Sequence, residues 1–111
     1  MEAPTLVPFA DFKKLDIRIA RVKSVELHPN ADKLYVLKIE LGDGERQIVA
    51  GLRAWYTPEQ LQGRTIVVVV NLEPAVLRGV ESQGMLLAAQ DSTGVTVLQP
   101  DRAAAVGARV S

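Results

Sequence analysis

The chain has 111 residues, enough for one domain with a buried core, and no cysteine, which excludes disulfides, thiolate metal sites and cysteine nucleophiles. Thirteen basic and thirteen acidic residues cancel, giving zero net charge and a pI near 6.6. Overall composition therefore argues against a nucleic-acid partner, which usually meets a basic protein.

The opening Met1-Glu2-Ala3-Pro4-Thr5 lacks the basic start and apolar stretch of a signal peptide and is expected to be mobile. From Pro8 to Leu15, the spacing of Phe9, Phe12 and Leu15 predicts a short helical turn that buries two rings. Residues 16–27 read as one extended stretch. Its apolar positions alternate at Ile17 and Ile19, change phase at Val22 and change back at Val25 and Leu27, which predicts a bulged or bent strand. His28-Pro29-Asn30-Ala31-Asp32 is a turn by composition.

The next strand alternates cleanly, with Tyr35, Leu37, Ile39 and Leu41 on one face and Lys38 and Glu40 on the other. Gly42-Asp43-Gly44 predicts a tight hairpin into residues 46–50. Thr57 and Gln60 have capping-box spacing around Pro58 and Gly63 follows, so residues 58–62 are expected to form a helix. Residues 65–71 are apolar enough for a central strand, and the apolar run inside them, Ile66–Val70, is too short to cross a bilayer. An irregular loop is expected over 73–84, then strands at 85–89 and 95–98, and a tail from Pro100. Five main strands with a short helix between the third and fourth make an all-β chain in the order of the OB-fold, a Greek-key barrel spanning about 12–98 with terminal extensions on either side. A soluble, cytoplasmic protein with no membrane partner is expected.

Catalysis finds no support. His28 is the single histidine and reads as a solvated turn residue, no His/Asp/Glu grouping resembles a metal site, and no cofactor is implied. Gly42-Asp43-Gly44 joins two strands with no helix after it, so it reads as a hairpin and not a phosphate loop. Binding candidates gather where an OB-fold uses them. Beside the first loop, Lys33 reads equally as a phosphate contact and as a solvated strand end, while Asn30 and Asp32 read as turn formers. After the fourth strand come Asn71, Arg78, Ser82 and Met85. Arg78 offers a guanidinium fork for phosphate with no local need for one, and Met85 an apolar pad for a base or a core residue. Asn71 and Ser82 also read as satisfying loop backbone groups. Arg53 adds a third cation at a turn. Tyr35 is expected in the core, and Trp55 and Tyr56 are expected to cap the barrel's open end. Few aromatics remain for stacking bases, which favours recognition of a folded RNA's backbone.

Several segments carry a resemblance. Residues 12–19, the run His28-Pro29-Asn30-Ala31-Asp32-Lys33-Leu34, Val49-Ala50-Gly51-Leu52, Val70–Pro74 and above all residues 77–88 resemble the OB-fold tRNA-binding domain family. That family occurs attached to methionyl-tRNA and other synthetases, as a free-standing tRNA-binding protein, and in an export chaperone. The resemblance implies non-catalytic binding of tRNA by its tertiary shape, without regard to amino-acid identity. It also implies a homodimer whose chain ends help form the interface, and a connection to an aminoacyl-tRNA synthetase. By motif position it assigns tRNA binding to Lys33, Arg53, Asn71, Arg78, Ser82 and Met85. The rival expectation is a chaperone that grips unfolded or presecretory polypeptide through apolar patches of the same barrel.

Overall fold

The computed structural model describes residues 5–111, so the expectation for the first four residues lies outside it. The first element, α1 (Phe9–Lys13), begins after Pro8 and buries none of its residues. The expected burial of its two rings is corrected here. Phe9 is 70% and Phe12 41% exposed, and the rings stack on each other with centroids 6.3 Å apart. Residues three apart on one helical face meet each other. With only one turn of helix lying outside the barrel, they have no core to reach.

The long β1 (Ile17–Leu27) organises the rest. Its second half pairs with β2 (Tyr35–Glu40), and its first half pairs with β4 (Thr65–Val69) on one side and β10 (Arg109–Val110) on the other. The register slips between Val22 and Ser24, which is the bulge that the change of phase predicts. Val22 is also bonded through its backbone to Arg64 and Gly63, so the chain leaving the second helix docks at the bulge. That helix, α2 (Pro58–Leu61), has the full capping box at Thr57 and Gln60, and it drives Leu61 into the barrel with no residual exposure.

β2 folds back into β3 (Glu45–Ala50) through Gly42-Asp43. Gly42 has φ 88° and Asp43 an ordinary φ, the pattern of a two-residue turn with glycine first. The strand order is β3-β2-β1-β4-β7, with β7 (Met85–Leu86) antiparallel to β4. This is the all-β, five-stranded barrel of OB type that the element count predicts. Gln83 closes it toward β3: its backbone N–H donates to the Gln47 carbonyl at 2.8 Å, and its side-chain oxygen accepts from the Gln47 N–H. Arg46 adds a side-chain bond to the Val70 carbonyl. Inside lie Ala20, Val22, Leu37, Ile39, Ile48, Leu52, Ile66 and Val68, together with Tyr35. Ile17 and Ile19 are buried too, but on the strand's other face, flanked by Val69 of β4 and Val110 of β10.

The expected irregular loop over 73–84 is a hairpin, β5 (Ala75–Leu77) and β6 (Val80–Ser82), forming a sheet of its own. Arg78 and Gly79 turn it with φ 53° and 90°, the left-handed pair of a tight hairpin. The expected strand at 85–89 is broken at Leu87. β7 stays in the barrel, while β8 (Ala88–Asp91) leaves it to pair with β9 (Gly94–Val97). The expected aromatic cap divides. Tyr56 accepts the Val97 N–H at its hydroxyl, whereas Trp55 remains half exposed and lies so close over Gly94 that a Cβ there would meet the indole at 2.6 Å. No helix among the described residues is long and apolar enough to cross a membrane.

Candidate nucleic-acid interface

Two loops that are remote in sequence meet at one end of β1. The turn from His28 to Leu34 is closed by backbone bonds His28 to Leu34 and Leu34 to Ala31. The β5–β6 hairpin leans over it. Asn30 donates its side-chain amide to the Arg78 carbonyl at 3.2 Å, and the Arg78 guanidinium donates back to the Asn30 carbonyl at 3.2 Å. Between them lies an open cleft of about 480 Å³ lined by residues 30–34 and Arg78.

Lys33 and Arg78 stand exposed on this cleft, and neither pairs with a carboxylate among the described residues. Asp32 is the one acid on the rim. The chain after β3 packs alongside, since a side chain at Gly51 would contact Leu34 and the Lys33 carbonyl at 3.7 and 3.9 Å. Arg53 follows from it and lays its guanidinium 6.0 Å from the centre of the Tyr35 ring, a cation–π contact that keeps the charge beside the start of β2. The structure therefore brings Lys33 and Arg78 to one cleft, while Arg53 lies beside the start of β2 and is not among the residues that line it.

Met85 belongs to an adjoining surface. It is 52% exposed, and with Val49, Gly51, Leu52 and Val95 it lines a shallow, mostly apolar hollow of about 220 Å³. Gly51 is the border between the two depressions. Ser82 sits beneath the surface, 5% exposed, accepting from the Val49 N–H and donating to the Gly84 carbonyl, both at 3.0 Å. It fixes the bend at Gly84, where a Cβ would come within 3.0 Å of the Val69 carbonyl. Asn71 lies at the other end of β1. It accepts from the Asp16 N–H at 2.7 Å and donates to the Lys14 carbonyl at 2.6 Å, tying α1 to the barrel.

Two expectations about single residues change here. His28 is not solvated but 4% exposed, with both ring nitrogens bonded. Arg78 does have a local use for its guanidinium, at the Asn30 carbonyl. Sequence spacing does not reveal the histidine's role, because one of its two partners lies 49 residues away. The only local hint is that the asparagine two residues on also faces the hairpin.

Residues 17–109 match the family model described as a putative tRNA binding domain. The chain is 55% identical over 104 residues to the methionine–tRNA ligase of Thermococcus kodakarensis, covering 94% of this chain and 14% of the relative. It thus spans about a seventh of the length of that ligase. Among solved structures, the MetRS related protein from Pyrococcus horikoshii superimposes with a TM-score of 0.90 at 37% identity, covering 97% of this chain and all of the other. The CsaA chaperone protein from Picrophilus torridus does so with 0.89 at 31% identity, covering 96% of this chain and all of the other.

Proposed function

The chain belongs to the tRNA-binding domain family, and from that premise we propose that it holds folded tRNA by tertiary shape and backbone charge and performs no reaction of its own. The observation that carries this reading is the Lys33–Arg78 cleft. Two loops, one carrying Lys33 and the other Arg78, are held together by the Asn30–Arg78 bonds, and both cations are exposed and free of carboxylate partners among the described residues, at an OB-fold's usual ligand surface. Arg53 extends the charge, Met85 supplies an apolar pad, and Ser82 and Asn71 contribute through the loops they brace. Phosphate contacts of this kind position a folded RNA without reading its sequence.

The protein works in the cytoplasm, either free-standing or as the C-terminal domain of a methionyl-tRNA synthetase, where it would raise the affinity for tRNA. It acts as a homodimer. Leu6, Val7, Phe9, Phe12 and Leu72 are exposed around α1 and the end of β4, and a twofold interface would bury such a patch from both copies. Two copies of the cleft on one assembly would also offset the neutral charge of each chain. The same apolar patch, with the likeness to a CsaA chaperone, favours a second reading in which the barrel grips unfolded polypeptide. A gel-shift comparison of folded tRNA, unstructured RNA and a denatured polypeptide separates the two. Preference for folded tRNA supports the first reading, and preference for the polypeptide supports the second.

A further inference from the structure

The β5–β6 hairpin takes no part in the barrel's ladder, yet it carries Arg78. Two buried polar side chains pin its ends: Ser82 at the end of β6 and His28 beneath the end of β5. The imidazole's bonding determines its own tautomer. The Asn30 N–H donates to Nδ1 at 2.9 Å, so the ring proton sits on Nε2, which donates to the Leu77 carbonyl at 2.9 Å. Leu77 immediately precedes Arg78, whose left-handed backbone is disfavoured for any residue with a side chain. Fixing the carbonyl before such a residue restrains the peptide plane that adjoins its φ torsion.

We propose that His28 is the positioning residue for the Arg78–Lys33 pair, locking the hairpin tip over the β1–β2 loop so that the two cations keep one spacing. The proposal rests on the tRNA-binding reading above. The alternative role for His28 is to fold its own turn, and the two nitrogens separate the roles: the Nδ1 bond stays within the turn, and the Nε2 bond crosses to the hairpin.

The test uses the full chain and folded tRNA. His28→Asn keeps an oxygen for the Asn30 N–H but is too short to reach Leu77, while His28→Gln carries an amide N–H out toward the Nε2 position. Each is measured for affinity, salt dependence and melting, with and without Arg78→Ala. Arg78→Ala alone is expected to weaken binding about tenfold, the scale of one charged hydrogen bond. His28→Asn should weaken it comparably, Arg78→Ala added to it should do nothing more, and His28→Gln should bind nearly as the parent does. If His28→Asn binds normally while Arg78→Ala does not, the positioning role is wrong and the tRNA reading stands. If Arg78→Ala has no effect on a parent that binds folded tRNA, the cleft assignment and the positioning role fall together; a parent that binds no folded tRNA overturns the reading they rest on. If His28→Asn fails to fold, a folded His28→Gln variant that loses binding overturns the proposal, and one that retains it supports it. Imidazole ¹⁵N spectra of the unaltered protein add a direct check, since a proton on Nδ1 would contradict the assigned bonding.

Discussion

Asn30 and Arg78 hold each other reciprocally, each donating from its side chain to the other's backbone carbonyl at 3.2 Å. The arginine is thereby oriented without being neutralised, because a carbonyl takes only one of its five N–H groups and none of its charge.

That arrangement makes the effect of the cations measurable. Replacing Lys33 and Arg78 together by alanine should weaken every tRNA species about equally. The slope of log affinity against log salt should flatten by roughly one unit for each phosphate that is no longer neutralised. Weakening of a single tRNA with an unchanged slope would contradict backbone recognition.

Ser82 and Met85 should separate cleanly. Ser82→Ala strips the buried Val49 N–H of its acceptor, which costs about 1–3 kcal/mol of stability in a denaturant melt. Met85→Ala removes a half-exposed side chain, so its melt should shift by no more than about 0.5 kcal/mol while tRNA affinity drops. A Met85 variant several kcal/mol less stable would show that the residue serves the core.

The apolar surface around α1 predicts an oligomer. Light scattering of the full chain at micromolar concentration should give a dimer, and Phe9→Asp with Phe12→Asp should give monomers. The barrel should survive, since neither ring belongs to its core. A parent chain that scatters as a monomer would end the proposal of a dimer.

Acid should weaken the foot of β1. The Arg18 hydrogen bond, at 2.9 Å, holds the Asp16 carboxyl below the usual carboxylate range, with added attraction from the Arg18, Arg109 and Arg46 charges. A carboxyl whose folded-state pKa is lowered stabilises the fold above its unfolded pKa, and that contribution disappears as pH falls through the folded value. Asp16→Asn should therefore flatten the acid limb of stability against pH while barely changing its shape near neutrality. An unchanged acid limb would show that other groups set it.

Where the pattern of the chain is local, the structure is legible in the sequence. The change of phase at Val22 is the bulge, Thr57 and Gln60 are the capping box, and Gly42 turns the hairpin as its conformation requires. The β5–β6 hairpin escapes such reading because the β5 residues are all exposed, so no alternation marks the strand, and because Arg-Gly lacks the usual Asn-Gly signature of its turn. Lys33 and Arg78 stand out in the sequence only as single candidates, and the bonds that bring their loops together join positions about fifty apart. No periodicity encodes such a contact. The stacked phenylalanines mislead for a related reason, since helical spacing specifies a shared face but not what lies opposite it.

The pairing of β10 with the start of β1 has a consequence for synthesis. A side chain at Gly107 would stand 2.5 Å from the Leu41 carbonyl, and the Gly107 N–H bonds the Ile19 carbonyl, so this short segment threads between the β2–β3 turn and the first strand. A nascent chain emerging from the ribosome can assemble the β1–β2–β3 meander early, because those contacts are close in sequence. The edge of Ile17–Ile19 then stays open until residues 107–110 have also left the tunnel. For that interval the unfinished barrel exposes an unpaired strand edge, the surface on which a nascent chain is most prone to join a neighbour.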